Sequence, residues 1–225
     1  MIWITGDKHG QLDPFLENPT YKKIKKNDTL IICGDFGFLW DRSKQELKNL
    51  KWLSKRRFNI AFVDGCHDNQ TILSEYPTEF WNGGKIRRVS KNILYLMRGE
   101  IYDIDGARVL AFGGGHSENR AIEAKGKSWW PEESPSREQI DNVVENMQKA
   151  RGHLDLIISH EAPRSIKSCL EENYQDSSPI NDVLEEIRAH CDFKNWFFGK
   201  YHVDKLIPPK YHVVFDDVIK FEKRF

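Results

Sequence analysis

The chain lacks any excess of charge. Lys and Arg total 34, Asp and Glu total 34, and the formal net charge is zero. That removes the global attraction by which basic proteins hold long nucleic acids or anionic membranes, although charge segregated onto one face remains compatible with it. No apolar stretch approaches the ~20 residues that cross a bilayer. No basic segment followed by an apolar one precedes the first strand-like run at Ile2, so no secretory signal is expected. The four cysteines, Cys33, Cys66, Cys169 and Cys191, form neither a CxxC pair nor a disulfide-scaffold spacing. Reduced thiols and a cytoplasmic setting follow as expectations. Repeats, low-complexity tracts and linker-like segments are also missing, so the 225 residues are expected to form a single domain spanning 1–225.

What is present is a recurring pattern. Ile2-Trp3-Ile4-Thr5 runs into Gly6-Asp7-Lys8-His9, and Thr29-Leu30-Ile31-Ile32-Cys33 into Gly34-Asp35. Asn59-Ile60-Ala61-Phe62-Val63 leads to Asp64-Gly65-Cys66-His67-Asp68. Leu156-Ile157-Ile158-Ser159 leads to His160, and Trp196-Phe197-Phe198 to Gly199-Lys200-Tyr201-His202. Such runs read as buried strands, and in α/β sheets chemistry collects beyond the carboxyl ends of strands.

Helical patterns alternate with these runs. Residues 43–55 place Leu47, Leu50 and Leu53 on one face with Trp52 beside them. Ser136 and Gln139 form a capping-box signal for a helix to about Arg151, with Ile140, Val143, Val144 and Met147 inward. Residues 179–189 repeat the pattern through Val183, Leu184 and Ile187. Asp105-Gly106-Ala107 between two short apolar runs predicts an antiparallel hairpin, and Val213 to Lys220 one or two closing strands. The stretch from Gly113 to Pro135 is the longest irregular segment, and loops of that length are often functional.

Carboxylates bind hard divalent cations, and imidazole suits Mn, Fe and Zn. An Asp-x-His pair just after a strand can place both side chains on one ion while the middle residue points away. Asp35 could bridge two ions, with His160 and His202 completing the shell. Two such ions clamp a phosphate and activate an attacking hydroxide.

The order Asp-x-His, Gly-Asp, His-Asp, His and x-x-His at strand ends resembles the signature of the calcineurin-like metallophosphoesterases, over Asp7 to His202. Gly34–Gly37 and Trp129–Glu133 further resemble segments of a branch of small bacterial or phage-borne phosphoesterases. The resemblance implies an α/β fold, a four-layer α/β/β/α sandwich with two mixed β-sheets and the metal site at the strand C-terminal ends. It implies hydrolysis of a phosphoester, as a phosphatase or phosphodiesterase, by a metal-bound hydroxide. It implies one or two divalent cations per chain, Mn or Fe, with Zn or Ni as alternatives. Asp7, His9, Asp35 and His202 match first-metal ligands, Asp35 being the bridging carboxylate, and His160 matches a second-metal ligand. His67 matches the proton donor to the leaving group, with Asp68 orienting its ring.

Two positions depart from the family pattern. Cys66 stands where the family has Asn, and Lys200 where it has the first His of its last motif. Both serve the second metal, and burial near another cation is expected to lower the Lys200 pKa. Three readings follow. In the first, one metal binds tightly and the Lys200 ammonium stands in for the other. In the second, Cys66 thiolate and neutral Lys200 hold a softer second ion. In the third, the site is degenerate and the protein is a phosphate- or nucleotide-binding module. The completeness of the first site and of the His67–Asp68 pair favours the first.

Other candidates are weaker. His116, after Gly113-Gly114-Gly115, has even claims as a substrate contact and as part of a plain turn. Arg120, Lys125 and Lys127 read better as a solvated loop than as anion contacts, and Trp129 and Trp130 better as packing anchors than as a stacking platform. A phosphoester of open identity is the expected partner.

Overall fold

The structure, a computed structural model, describes residues 1–117, 125–170 and 178–223. In chain order its first half contains β1 (Ile2–Thr5), α1 (Asp13–Glu17), β2 (Thr29–Cys33), α2 (Lys44–Leu53), β3 (Asn59–Val63), α3 (Gln70–Glu75), β4 (Thr78–Trp81), β5 (Gly84–Ser90), β6 (Ile93–Leu96), β7 (Glu100–Ile104) and β8 (Ala107–Phe112). The second half contains α4 (Arg137–Lys149), β9 (His153–Ser159), α5 (Arg164–Lys167), α6 (Pro179–His190), β10 (Asp192–Phe198), β11 (Lys205–Ile207), β12 (Tyr211–Val213) and β13 (Ile219–Phe221).

Two mixed sheets result. The first has the order β13-β1-β2-β3-β6-β5-β4 and the second β11-β12-β10-β9-β8-β7. Strands β1, β2, β3 and β6 run parallel, as do β8, β9, β10 and β12, and antiparallel strands flank both parallel cores. Parallel strands are covered on both faces, which explains their unbroken apolar runs. Ile2, Ile4, Ile31, Ala61 and Val63 point inward to meet Val109, Ala111, Leu156, Ile158 and Phe197 of the second sheet. Alternate residues Trp3, Leu30, Ile32, Ile60 and Phe62 face outward onto Phe15, Leu53, Ile72 and Leu73 of the first helical layer. On the other side Leu110, Phe112, Ile157, Trp196 and Phe198 pack on Val143, Met147, Leu184 and Ile187 of α4 and α6. The architecture is the four-layer α/β/β/α sandwich expected.

Local signals mostly match. Ser136 and Gln139 close a reciprocal capping box at α4. Asp105 and Gly106, at φ +50° and +73°, form the two-residue turn of the β7–β8 hairpin. Two helix faces differ from expectation. Leu47 is exposed, because α2 turns Glu46, Asn49 and Leu53 inward instead. Val144 is likewise exposed on α4, where Val143 and Met147 carry the burial. No helix of the described residues is long and apolar enough to cross a membrane.

Candidate active site

Five strand ends converge on one point. Asp7 and His9 follow β1, Asp35 follows β2, Cys66 and His67 follow β3, His160 follows β9, and Lys200 and His202 follow β10. The last two strands belong to the second sheet, so both sheets supply the site. His9, Asp35, Lys200 and His202 all adopt left-handed backbone, with φ between +43° and +69°. Non-glycine residues rarely do so unless their surroundings over-determine it, and such strain collects at functional sites.

The backbone comes close enough only because of glycine. A Cβ on Gly199 would lie 2.0 Å from Asp7 Oδ1, and one on Gly65 would lie 2.1 Å from Asp35 Oδ1. The Asp35 carbonyl accepts the Lys8 and His9 N–H groups at 3.0 and 2.9 Å, tying the β1 and β2 loops together. The Lys200 N–H donates to both Asp7 carboxylate oxygens, at 3.2 and 3.1 Å.

The side chains then meet. His9 Nε2 and His202 Nε2 are 3.0 Å apart, and they lie 3.9 and 3.2 Å from Asp7 Oδ2. Buried His160 places Nε2 3.4 Å from Asp35 Oδ1, and Nδ1 3.2 Å from the Cys33 carbonyl oxygen. Among the described residues, three groups have ligand atoms within 4.8 Å of one another: Asp7, His9 and His202; His9, Asp35 and His67; and Asp7, Asp35 and His160. Imidazole and carboxylate donors packed this closely, with Asp7, Asp35 and His160 buried, suit a divalent cation. Among the described residues, the buried His160 Nε2 makes no hydrogen bond, which supports the same conclusion.

A model of the calcineurin-like phosphoesterases matches residues 1–210. The chain belongs to that family. Among solved structures, the phosphopantetheinyl hydrolase from Mycobacterium tuberculosis is similar over 95% of this chain and 89% of its own, at 14% identity and a TM-score of 0.43. No curated protein matches this chain.

As a calcineurin-like phosphoesterase the chain is unusual where the sequence departs from the family pattern. Lys200 Nζ donates to Cys66 Sγ at 3.3 Å and lies 3.9 Å from Glu161 Oε1. Among the described residues, Cys66 belongs to none of the three groups able to hold an ion. Burial pushes the Lys200 pKa down, but its neighbours Cys66, Glu161 and Asp35 outweigh burial and raise it. Burial pushes the Cys66 thiol up.

The Asp68 expectation is corrected. The partner of the His67 ring is Asp35, whose Oδ2 lies 2.8 Å from Nδ1, while Oδ1 accepts the His67 N–H at 2.8 Å. That contact raises the His67 pKa against burial. Asp68 is fully buried and accepts the N–H groups of Phe36, Gly37 and Gly65 at 3.2, 2.9 and 3.0 Å. Its carboxylate satisfies loop amides that would otherwise be orphaned, so it holds the β2 and β3 loops. Burial and the charge of Asp35 push its pKa up to about 7.

Sequence reasoning passed over Glu161 and Lys8. Glu161 is buried directly after His160 and is the acidic neighbour of Lys200, and a charge closing an apolar run was the available signal. Lys8 does point away from the cluster, as expected, but into the protein. Its Nζ donates to the Phe215 carbonyl at 2.9 Å, and burial lowers its pKa to about 8. Phe215 in turn stacks on His202 at 4.7 Å.

His116 is half-buried next to Gly115, whose backbone abuts Cys66 and His160. Arg120 lies outside the described residues, and Lys125 and Lys127 are exposed. Trp130 is the packing anchor expected: it is buried, and its indole N–H donates to Thr71 Oγ1 at 3.1 Å.

Proposed function

We propose that this protein is a metal-dependent phosphoester hydrolase in which Asp7, His9, Asp35 and His202 hold one divalent cation, Mn or Fe, and Lys200 takes the place of a second. The carrying observation is the Lys200 ammonium, within 3.3 Å of Cys66 and 3.9 Å of Glu161 at the point where second-metal ligands are expected. When bound, the cation supplies Lewis acidity toward phosphoryl oxygens and lowers the pKa of water.

The chain's own residues do the rest. The Lys200 ammonium attracts a phosphoryl oxygen as a fixed point charge. A water oxygen attacks phosphorus and the bond to the ester oxygen breaks. His67, with Nδ1 held by Asp35 and its proton retained by that contact, donates from Nε2 to the departing oxygen. The N–H of His67 holds Asp35 in place.

The test is hydrolysis of chromogenic phosphomonoester and phosphodiester probes with added Mn²⁺, with Asp35→Asn as the blank. Turnover at least ~100-fold above the blank is expected, since Asp35 serves both the cation and the general acid. Wild-type turnover no faster than the blank with Mn²⁺, Fe²⁺, Ni²⁺ or Zn²⁺ would leave the chain a phosphate-binding module.

A further inference from the structure

Beside the metal-binding cluster lies a cavity of about 330 Å³ that the mechanism does not use, and His67 and His9 form its inner wall. On the reading above, His67 touches the oxygen that departs. Whatever that oxygen is attached to must therefore lie against His67, and this cavity opens against His67. Its other walls come from the loop between β2 and α2 and from the first turns of α2. They include Trp40, Asp41, Gln45, Glu46 and Asn49.

These walls are built rather than incidental. The Glu46 carboxylate accepts the N–H groups of Trp40, Asp41 and Arg42 at 3.0, 2.8 and 3.1 Å, which fixes the loop on α2. Asp41 Oδ1 accepts the Ser43 N–H at 2.8 Å. Trp40 stands edge-to-face with Trp130 at 5.2 Å and 86°, and 6.1 Å from the His67 ring. Asn49 donates to the Gly10 carbonyl at 3.2 Å and accepts from Gln45 at 2.8 Å, joining α2 to the β1 loop.

The charge in this space has one sign on the loop and helix side. Asp41 and Glu46 are carboxylates, and among the described residues no Lys or Arg lines the cavity. The neighbouring Arg42 is paired with Glu75. A leaving alcohol that carried a further phosphate would place that charge against two carboxylates. An uncharged aromatic group would meet the Trp40 indole, and a cationic one would gain from both the indole and the carboxylates.

We infer that this cavity is the leaving-group subsite, and that the substrate is a phosphoester of an aromatic or cationic alcohol rather than of a polyanionic one. Nucleic-acid chains and polyphosphorylated alcohols are thereby disfavoured. The inference rests on the function proposed above, so its test is a binding measurement that needs no turnover.

Three benzylphosphonates that differ only in their para substituent, trimethylammoniomethyl, ethyl or carboxymethyl, are titrated calorimetrically into the Mn²⁺-loaded protein. The expected order of affinity is cationic, then neutral, then anionic, with about tenfold between the extremes. Asp41→Asn, which keeps the acceptor for Ser43, should narrow that ratio several-fold, and Trp40→Ala should weaken the cationic and neutral probes. An anionic probe that binds as well as the cationic one, a ratio unmoved by Asp41→Asn, or no binding of any probe would each overturn the inference. Hydrolysis of the matched benzyl phosphates reports separately on whether the protein is an enzyme.

Discussion

At the residue scale, neighbouring side chains of similar chemistry do different work because their partners differ. His67 is largely exposed and tied to Asp35, whereas His160 is buried and tied to the Cys33 carbonyl. In the proposed mechanism His67 acts as an acid, so its protonated form must be present. Asp35 raises its pKa above the ordinary 6.5, which extends the acid form to higher pH. Activity should therefore hold through neutrality and fall as pH climbs past that raised value. His67→Ala should cost about 10²–10⁴ in kcat and remove the alkaline fall, as read from pH profiles of both proteins; an unchanged rate would refute the role. Asp68 predicts a different outcome. Asp68→Ala leaves the buried amides of Phe36, Gly37 and Gly65 without their acceptor. The expected cost is about 3 kcal/mol, or roughly 6–12 °C in Tm for a chain of this size. Calorimetry checks this, and loss of activity without loss of Tm would return Asp68 to a role in the chemistry.

At the element scale, the parallel strands hold the site because each ends in a short loop pinned to its neighbour. Their stability is in turn tied to charge at the far end of the second sheet. Asp155 in β9 accepts the Arg108 N–H at 3.0 Å and pairs with Lys194 of β10 and with Lys223, each at 2.9 Å. Burial alone would raise its pKa, but Lys194 and the Arg108 amide outweigh burial and leave it below the ordinary 3.8. A carboxyl depressed on folding stabilises fully above its unfolded value and loses that contribution as pH falls through its folded one. Urea midpoints should accordingly fall as pH drops below about 4, and Asp155→Asn should flatten that fall while lowering stability at neutral pH. A slope identical in the two proteins would show that Asp155 does not carry it.

The same scale shows what could be read from the sequence. Strands β1, β2, β3, β9 and β10 were legible because burial on both faces leaves uninterrupted apolar runs that end in ligand residues. The antiparallel β4 and β5 were not. Thr78-Glu79-Phe80-Trp81 is the edge strand and half exposed, and Gly84 to Ser90 beside it is mostly half-buried and carries Lys85, Arg87 and Arg88. Leu47 and Val144 satisfied a helical period yet face solvent, because the docking of α2 and α4 is set by the sheets they cover. At the site, the residues after each strand were legible by type and order. The exchange of Asp68 for Asp35 as the partner of His67 was not, because it depends on which carboxylate the loop amides engage.

At the scale of the whole molecule, the sandwich lets two sheets contribute to one cluster. Asp7, His9, Asp35 and His67 come from the first, and His160, Lys200 and His202 from the second. The ammonium of Lys200 therefore reaches across the sheet–sheet junction to Cys66, where a second cation is expected in the family pattern. The account stands on that exchange of a metal ion for a side-chain charge. Its most direct test is a titration of the demetallated protein with Mn²⁺ in which bound metal and phosphoester turnover are followed together. Turnover that saturates at one tightly bound equivalent per chain is the predicted result. Turnover that appears only with a second tight equivalent, or that fails to appear at any occupancy, would contradict it.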